Sequence, residues 1–269
     1  MVAQVRKVPE ILLKKRLFTS SDSSRLLEEE MRLDAPYYSD VFMKAKGFVE
    51  EAKERYEVRP LIDFCEDIFR LGQFKRVWSD KQHGFPYMAP TDLFSLKYLR
   101  EQEAPSRAFV AKGRHGEIAN IKSALKNQSP MRARQGEARF FVENGWILIS
   151  CSGSVGRLML VTESLCGYFF SHDFIRIVPK QGTWTGYLYA YLSSWVGQAF
   201  LKRDIHGGWV KHIEPEQIKF VPIITPPEDI QKEIHGKIIG AYSSRERFLK
   251  DEASEIHSLE SMFEQLAHD

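Results

Sequence analysis

Cysteine is scarce in this chain, with Cys65, Cys151 and Cys166 the only three among 269 residues. Their odd number and the lack of any CxxC spacing exclude a disulfide framework and a structural zinc site of the usual ligand spacing. Such usage suits a reduced compartment, and a cytoplasmic protein is expected. Long apolar runs are missing too. No stretch approaches the roughly 18 consecutive apolar residues that a membrane-spanning helix needs. The first residues set Arg6, Lys7, Lys14, Lys15 and Arg16 around a brief Ile11-Leu12-Leu13 patch, which does not make a secretory signal. A phosphate-cradling P-loop is also lacking. The nearest string, Ser152-Gly153-Ser154-Val155-Gly156-Arg157, places arginine and then Leu158 where that loop requires lysine and a hydroxyl residue.

Catalytic signatures are equally thin. The one Pro-Pro pair sits in Thr225-Pro226-Pro227-Glu228, without the amide and the aromatic residue that flank it in DNA amino-methyltransferases. His172-Asp173 invites a catalytic reading, but adjacent residues on a strand face opposite ways. His206 and His212 lack an acidic ligand at helical spacing, so they make a poor metal site. No catalytic residue, metal ligand or resident cofactor is assigned.

What the chain does have is enough apolar content for a core, 43% hydrophobic and 12% aromatic. Net charge is only +2, yet it is unevenly spread. Between Lys97 and Arg139 lie ten lysines and arginines against four glutamates; from Glu228 to Asp269 there are five against ten acidic residues. A basic middle suits a polyanion, and an acidic end does not.

Periodicity divides the chain into three. Residues 1–57 read as a helical leader, broken at Pro36, with a second helix over 42–56. Residues 58–227 alternate short apolar runs with glycine, proline and asparagine, predicting strands at 85–88, 140–142, 146–150, 158–161 and 174–178. Asn144-Gly145 predicts a tight turn between the second and third of these. One helix over 187–201 is predicted from Leu188, Tyr191, Leu192, Trp195, Val196 and Phe200. After Pro226-Pro227, residues 228–269 predict one helix of about 60 Å at 1.5 Å per residue. Ile234, Ile238 and Tyr242 recur at i, i+4. Leu249, Ile256 and Phe263 then repeat every seven, with Leu259 and Leu266 between them and Arg245 and Glu252 interrupting the seam. These eight apolar positions are the expected oligomerisation face. The fold class is therefore α+β: a β-rich domain with packed helices, followed by a long coiled-coil-type helix.

Four segments carry a resemblance. They are RLDAPYY (32–38), GFPYMAPTDLF (84–94), GWILISCSGSVGRLMLV (145–161) and SHDFIRIVP (171–179), the last followed by an aromatic helix, Gly207-Gly208 and the Pro-Pro stop. In order and spacing they resemble a target-recognition domain of the specificity (S) subunits of type I restriction–modification systems. The resemblance implies a non-catalytic protein that reads double-stranded DNA and directs methyltransferase (M) subunits to a site. A restriction/translocase (R) subunit is a further partner in systems that cut. S-adenosylmethionine and ATP are then expected on those partners. Typical S subunits carry two recognition domains and two long helices; here each occurs once. This implies a half-subunit that pairs antiparallel with a second copy and reads a palindromic target.

Phosphate contacts are expected from Arg114, Lys122, Lys126, Arg132, Arg134, Arg139, Arg157, Lys202, Arg203 and Lys211. Residue types able to read base edges are Gln73, Lys75, Arg76, Asn127, Gln128 and Gln135. The competing readings are the recognition portion of a fused restriction–methylation enzyme, and a protein-interaction module with no DNA role.

Overall fold

The structure, a computed structural model, describes residues 39–73, 77–79, 82–96, 109–111, 140–203, 205 and 212–268. The apolar run at residues 146–149 supplies a central strand of one sheet. Strands β1 (Glu57–Pro60), β2 (Cys65–Arg70), β3 (Trp78–Ser79), β4 (Gly84–Met88), β5 (Phe109–Ala111), β6 (Ile147–Ser150), β7 (Leu158–Leu160), β8 (Phe169–Phe170), β9 (Phe174–Pro179) and β10 (Pro222–Thr225) form three sheets. The first is antiparallel, in the order β2-β9-β6-β7. All four β6 residues are buried, as are Phe174, Ile175, Arg176 and Ile177 of β9. A strand covered on both faces shows no polar alternation. Each fully buried Ile, Leu or Phe there contributes roughly 1.5–3 kcal/mol.

The second sheet runs β3-β5-β4-β8, with β4 and β8 parallel. It rests on an aromatic cluster of Phe69, Leu71, Tyr87, Phe140 and Phe169. The Phe140 and Phe169 rings stack at 4.7 Å. Between the sheets stands Arg176, fully buried, its guanidinium donating to the Phe174 and Phe170 carbonyls at 3.1 and 2.9 Å. A charge survives burial only when it is hydrogen-bonded in this way. The third sheet pairs β1 with β10.

Helices close the layers: α1 (Asp40–Ala52), α2 (Pro90–Ser95), α3 (Thr185–Ser193), α4 (Trp195–Arg203), α5 (Pro215–Ile218) and α6 (Glu228–His268). The helix expected over 42–56 is α1. It is capped by the Ser39 hydroxyl, buries Phe42, Ala45 and Val49 in the main core, and ends before β1. Described residues on both sides of the expected boundary at 57 therefore share one core.

Three local expectations fail. The single helix over 187–201 is two, α3 and α4, because Ser194 turns extended at φ −65° and ψ 164°. Its hydroxyl donates to the Tyr191 carbonyl at 2.6 Å and accepts the Gly197 N–H at 3.2 Å, ending one helix and capping the next. Trp195, read as core-facing, is instead 53% exposed, its ring 5.8 Å from that of Phe48. The strand expected at 140–142 is reduced to a lone bridge, Phe141 to Phe169. The Asn144-Gly145 turn does form: Trp146 N–H reaches the Glu143 carbonyl at 3.1 Å, and Gly145 takes φ +87°. It joins β6 to a loop rather than making a hairpin.

Helix α6 is 41 residues long and lives in two environments. Ile234 and Ile238 pack against the main core, and Tyr242 and Leu249 are buried. Leu160 N–H donates to the Tyr242 hydroxyl at 3.1 Å; Glu246 accepts from the hydroxyls of Thr162 and Ser164. Beyond Leu249 the apolar positions lie open: Ile256, Leu259, Met262, Phe263 and Leu266 are each 46–65% exposed. No described helix is long and apolar enough to cross a membrane.

Candidate nucleic-acid interface

The β6–β7 hairpin sets the first cation of the site. Gly153 and Gly156 take φ +67° and +85°, which lets residues 151–157 turn tightly. Ser150 anchors the loop: its carbonyl accepts Gly156 N–H at 2.9 Å, and its hydroxyl accepts Arg157 N–H at 3.1 Å. Val155 N–H goes to the Gly153 carbonyl. Those three amides are spent inside the hairpin, so an anion here meets the Arg157 side chain rather than that part of the backbone.

Arg157 lies over the Phe94 ring at 4.1 Å and faces an open groove of about 450 Å³. Lys202, from the last turn of α4, lines the same groove; so does Arg245 of α6, which lies over the Tyr242 ring at 4.3 Å. Gln198 braces the wall by donating to the Gly156 and Leu192 carbonyls, both at 3.1 Å. Arg245 Nε is buried without a hydrogen-bond partner, and Nη2 rests 3.6 Å from the Met159 sulfur. Among the described lining residues there is no carboxylate. Three cations around one groove give a local positive potential.

The structure thus brings Arg157 and Lys202 together and adds Arg245. The sequence had shown Arg245 only as a break in the heptad seam. Arg203 points elsewhere, its guanidinium 5.5 Å from the Phe42 ring, in a smaller cavity shared with Glu50 and Lys53 of the α1 end. Gln73 is exposed just past β2, the edge strand opposite β7. Arg114, Lys122, Lys126, Arg132, Arg134, Arg139 and Lys211 lie outside the described residues, as do Lys75, Arg76, Asn127, Gln128 and Gln135. What is described of the basic stretch is its attachment. The chain leaves α2 at Leu96, supplies β5 to the second sheet and resumes at Phe140 in the aromatic cluster.

Apparent catalytic groups have structural duties. Residues 172 and 173 form a turn before β9 rather than part of a strand, with His172 Nε2 3.7 Å from Asp173 Oδ1. Asp173 accepts from the hydroxyls of Ser152 and Ser171 at 2.7 and 3.1 Å, clamping two loops. Burial pushes the Cys65 and Cys151 thiols up to about 12, far from thiolate reactivity. No group of His, Cys, Asp and Glu among the described residues is arranged to hold a metal.

A β-rich body with a basic groove is continuous with a long helix that carries an open apolar stripe. Residues 92–256 match the type I restriction modification DNA specificity domain, and the chain belongs to that family. The family's unit recognises DNA rather than catalysing. No curated protein matches the chain. Among solved structures it is similar to the HsdS subunit from Thermoanaerobacter tengcongensis, at 14% identity, 93% of this chain, 54% of that chain and TM-score 0.43. It is similar to the type I S subunit from M. genitalium at 14%, 94%, 56% and 0.43. To the type IIG restriction endonuclease BpuSI the figures are 11%, 80%, 30% and 0.46. The chain spans about half the length of the two S-subunit chains, 54% and 56%.

Proposed function

We propose that this chain is the DNA-reading part of a type I specificity subunit. It binds double-stranded DNA at a defined sequence, makes and breaks no covalent bonds, and directs M subunits to that site. An R subunit joins in a system that cuts. S-adenosylmethionine and ATP are held by those partners. The observation that carries this reading is the family match over residues 92–256, which takes in β5 to β10 and every described residue lining the basic groove. Co-purification with the products of neighbouring genes, followed by sequencing of methylated sites, tests it. Methylation is expected at one defined sequence, and only when the chain and M subunits are both present. Methylation or cleavage by the chain alone sinks the proposal.

The second half of α6 supplies the docking surface in this reading. Two copies pair antiparallel along Ile256, Leu259, Phe263 and Leu266, placing two readers at opposite ends over a palindromic target. Support comes from the exposure of all four side chains, 47–65%. A chain that sediments as a monomer at micromolar concentration, with and without M subunits, overturns the pairing.

A further inference from the structure

We propose that the groove walled by Arg157, Lys202 and Arg245 seats a phosphate of the DNA backbone, making the long helix part of the DNA-binding surface. This rests on the reading of the chain as a DNA specificity domain and assigns one contact within it. The three cations come from three separate elements, the β6–β7 hairpin, α4 and α6, yet face one open groove of about 450 Å³. Both guanidiniums lie over aromatic rings, at 4.1 Å from Phe94 and 4.3 Å from Tyr242. Such stacking restricts the side chain; it leaves Arg157 an N–H edge for a bidentate acceptor, and leaves Arg245, whose Nε is buried and whose Nη2 rests on the Met159 sulfur, its Nη1 side. Two non-bridging oxygens of a phosphate have the spacing for such an edge.

Two contrasts favour DNA over an acidic protein surface. Every described residue lining this groove lies within residues 92–256, the stretch that matches the DNA specificity domain. The smaller cavity of about 140 Å³ is built partly from α1, outside that stretch, and carries its own anion in Glu50, 2.7 Å from Lys53 Nζ. Glu50 there offsets part of the charge of Lys46, Lys53 and Arg203 from within the chain. The groove has no described carboxylate among its lining residues. Its arginines are held on rings beside the hairpin, so the contact positions the duplex and reads no base.

The test uses the full chain with two fluorescent duplexes, one holding the methylated target and one a scrambled sequence, titrated across a salt series. Arg157→Gln, Lys202→Gln and Arg245→Gln are compared singly and combined, with Lys237→Gln, an exposed α6 residue outside the groove, as control. Losing one phosphate contact flattens the slope of log affinity against log salt by about 0.9. The combined variant is expected to show that change, with affinity on the order of tenfold lower for both duplexes and their ratio unchanged. Lys202 is exposed, so its variant remains informative if an arginine variant unfolds. A folded Lys202→Gln with the slope and affinity of the parent overturns the inference. Unchanged DNA binding with lost M-subunit assembly also overturns it, and identifies an acidic protein ligand. A parent chain that prefers neither duplex brings down the specificity reading itself, and the inference with it.

Discussion

His235 accepts the Gly186 N–H through Nδ1 at 2.9 Å, at the first turn of α3, and only a neutral nitrogen can do so. Burial lowers its pKa from the usual 6.5. Its surroundings discourage a proton as well: the Trp184 ring lies 5.4 Å away and carries Lys232 on it, and a helix N-terminus already bears partial positive charge. The folded pKa is below the unfolded one, so the contribution is complete above about pH 6.5 and falls away as pH drops toward the folded value. Thermal melts from pH 7.5 to 5.5 should show a fall in Tm that His235→Gln flattens; parallel curves would refute this. Tyr242→Phe strands the Leu160 N–H inside the core and should cost about 1–2 kcal/mol in denaturant melts. Gly186 tolerates no side chain: a Cβ there would stand 2.8 Å from the His235 carbonyl oxygen, and α6 would have to move off α3.

At the scale of elements, the break at Ser194 carries a prediction of its own. Ser194→Ala removes the cap of α4 and should destabilise the chain by about 1 kcal/mol, read from the denaturant midpoint. The break also shows where sequence reading stops. Strands β4, β6, β7 and β9 were legible because each is an apolar run bounded by turn residues. The apolar period of residues 188–200 passes through Ser194 undisturbed, and the interruption depends on one hydroxyl bonding backwards and forwards. Proximity was harder still. Charge marks Arg157 and Lys202 in the sequence, but the heptad pattern hides Arg245. It meets the hairpin only because Tyr242 and Glu246, a turn apart, fasten α6 to residues 160–164. A one-dimensional period does not encode such long-range docking.

For the whole molecule, the two halves of α6 should respond differently to the same kind of damage. Leu259→Glu with Phe263→Glu, both on the exposed stripe, should leave the Tm of the isolated chain nearly unchanged while abolishing self-association in sedimentation. Ile234→Ala and Ile238→Ala should do the opposite, lowering stability by a few kcal/mol together because they pack on the main core.

No break interrupts α6 between its latched and its open half. The stripe is therefore clocked to the reader at about 100° per residue, and orientation is set by counting residues rather than by a joint. Removing one residue between Leu249 and Ile256 would keep the fold and both surfaces. It would also swing the stripe by more than a quarter turn, giving a protein whose every part is sound and whose arm faces the wrong way.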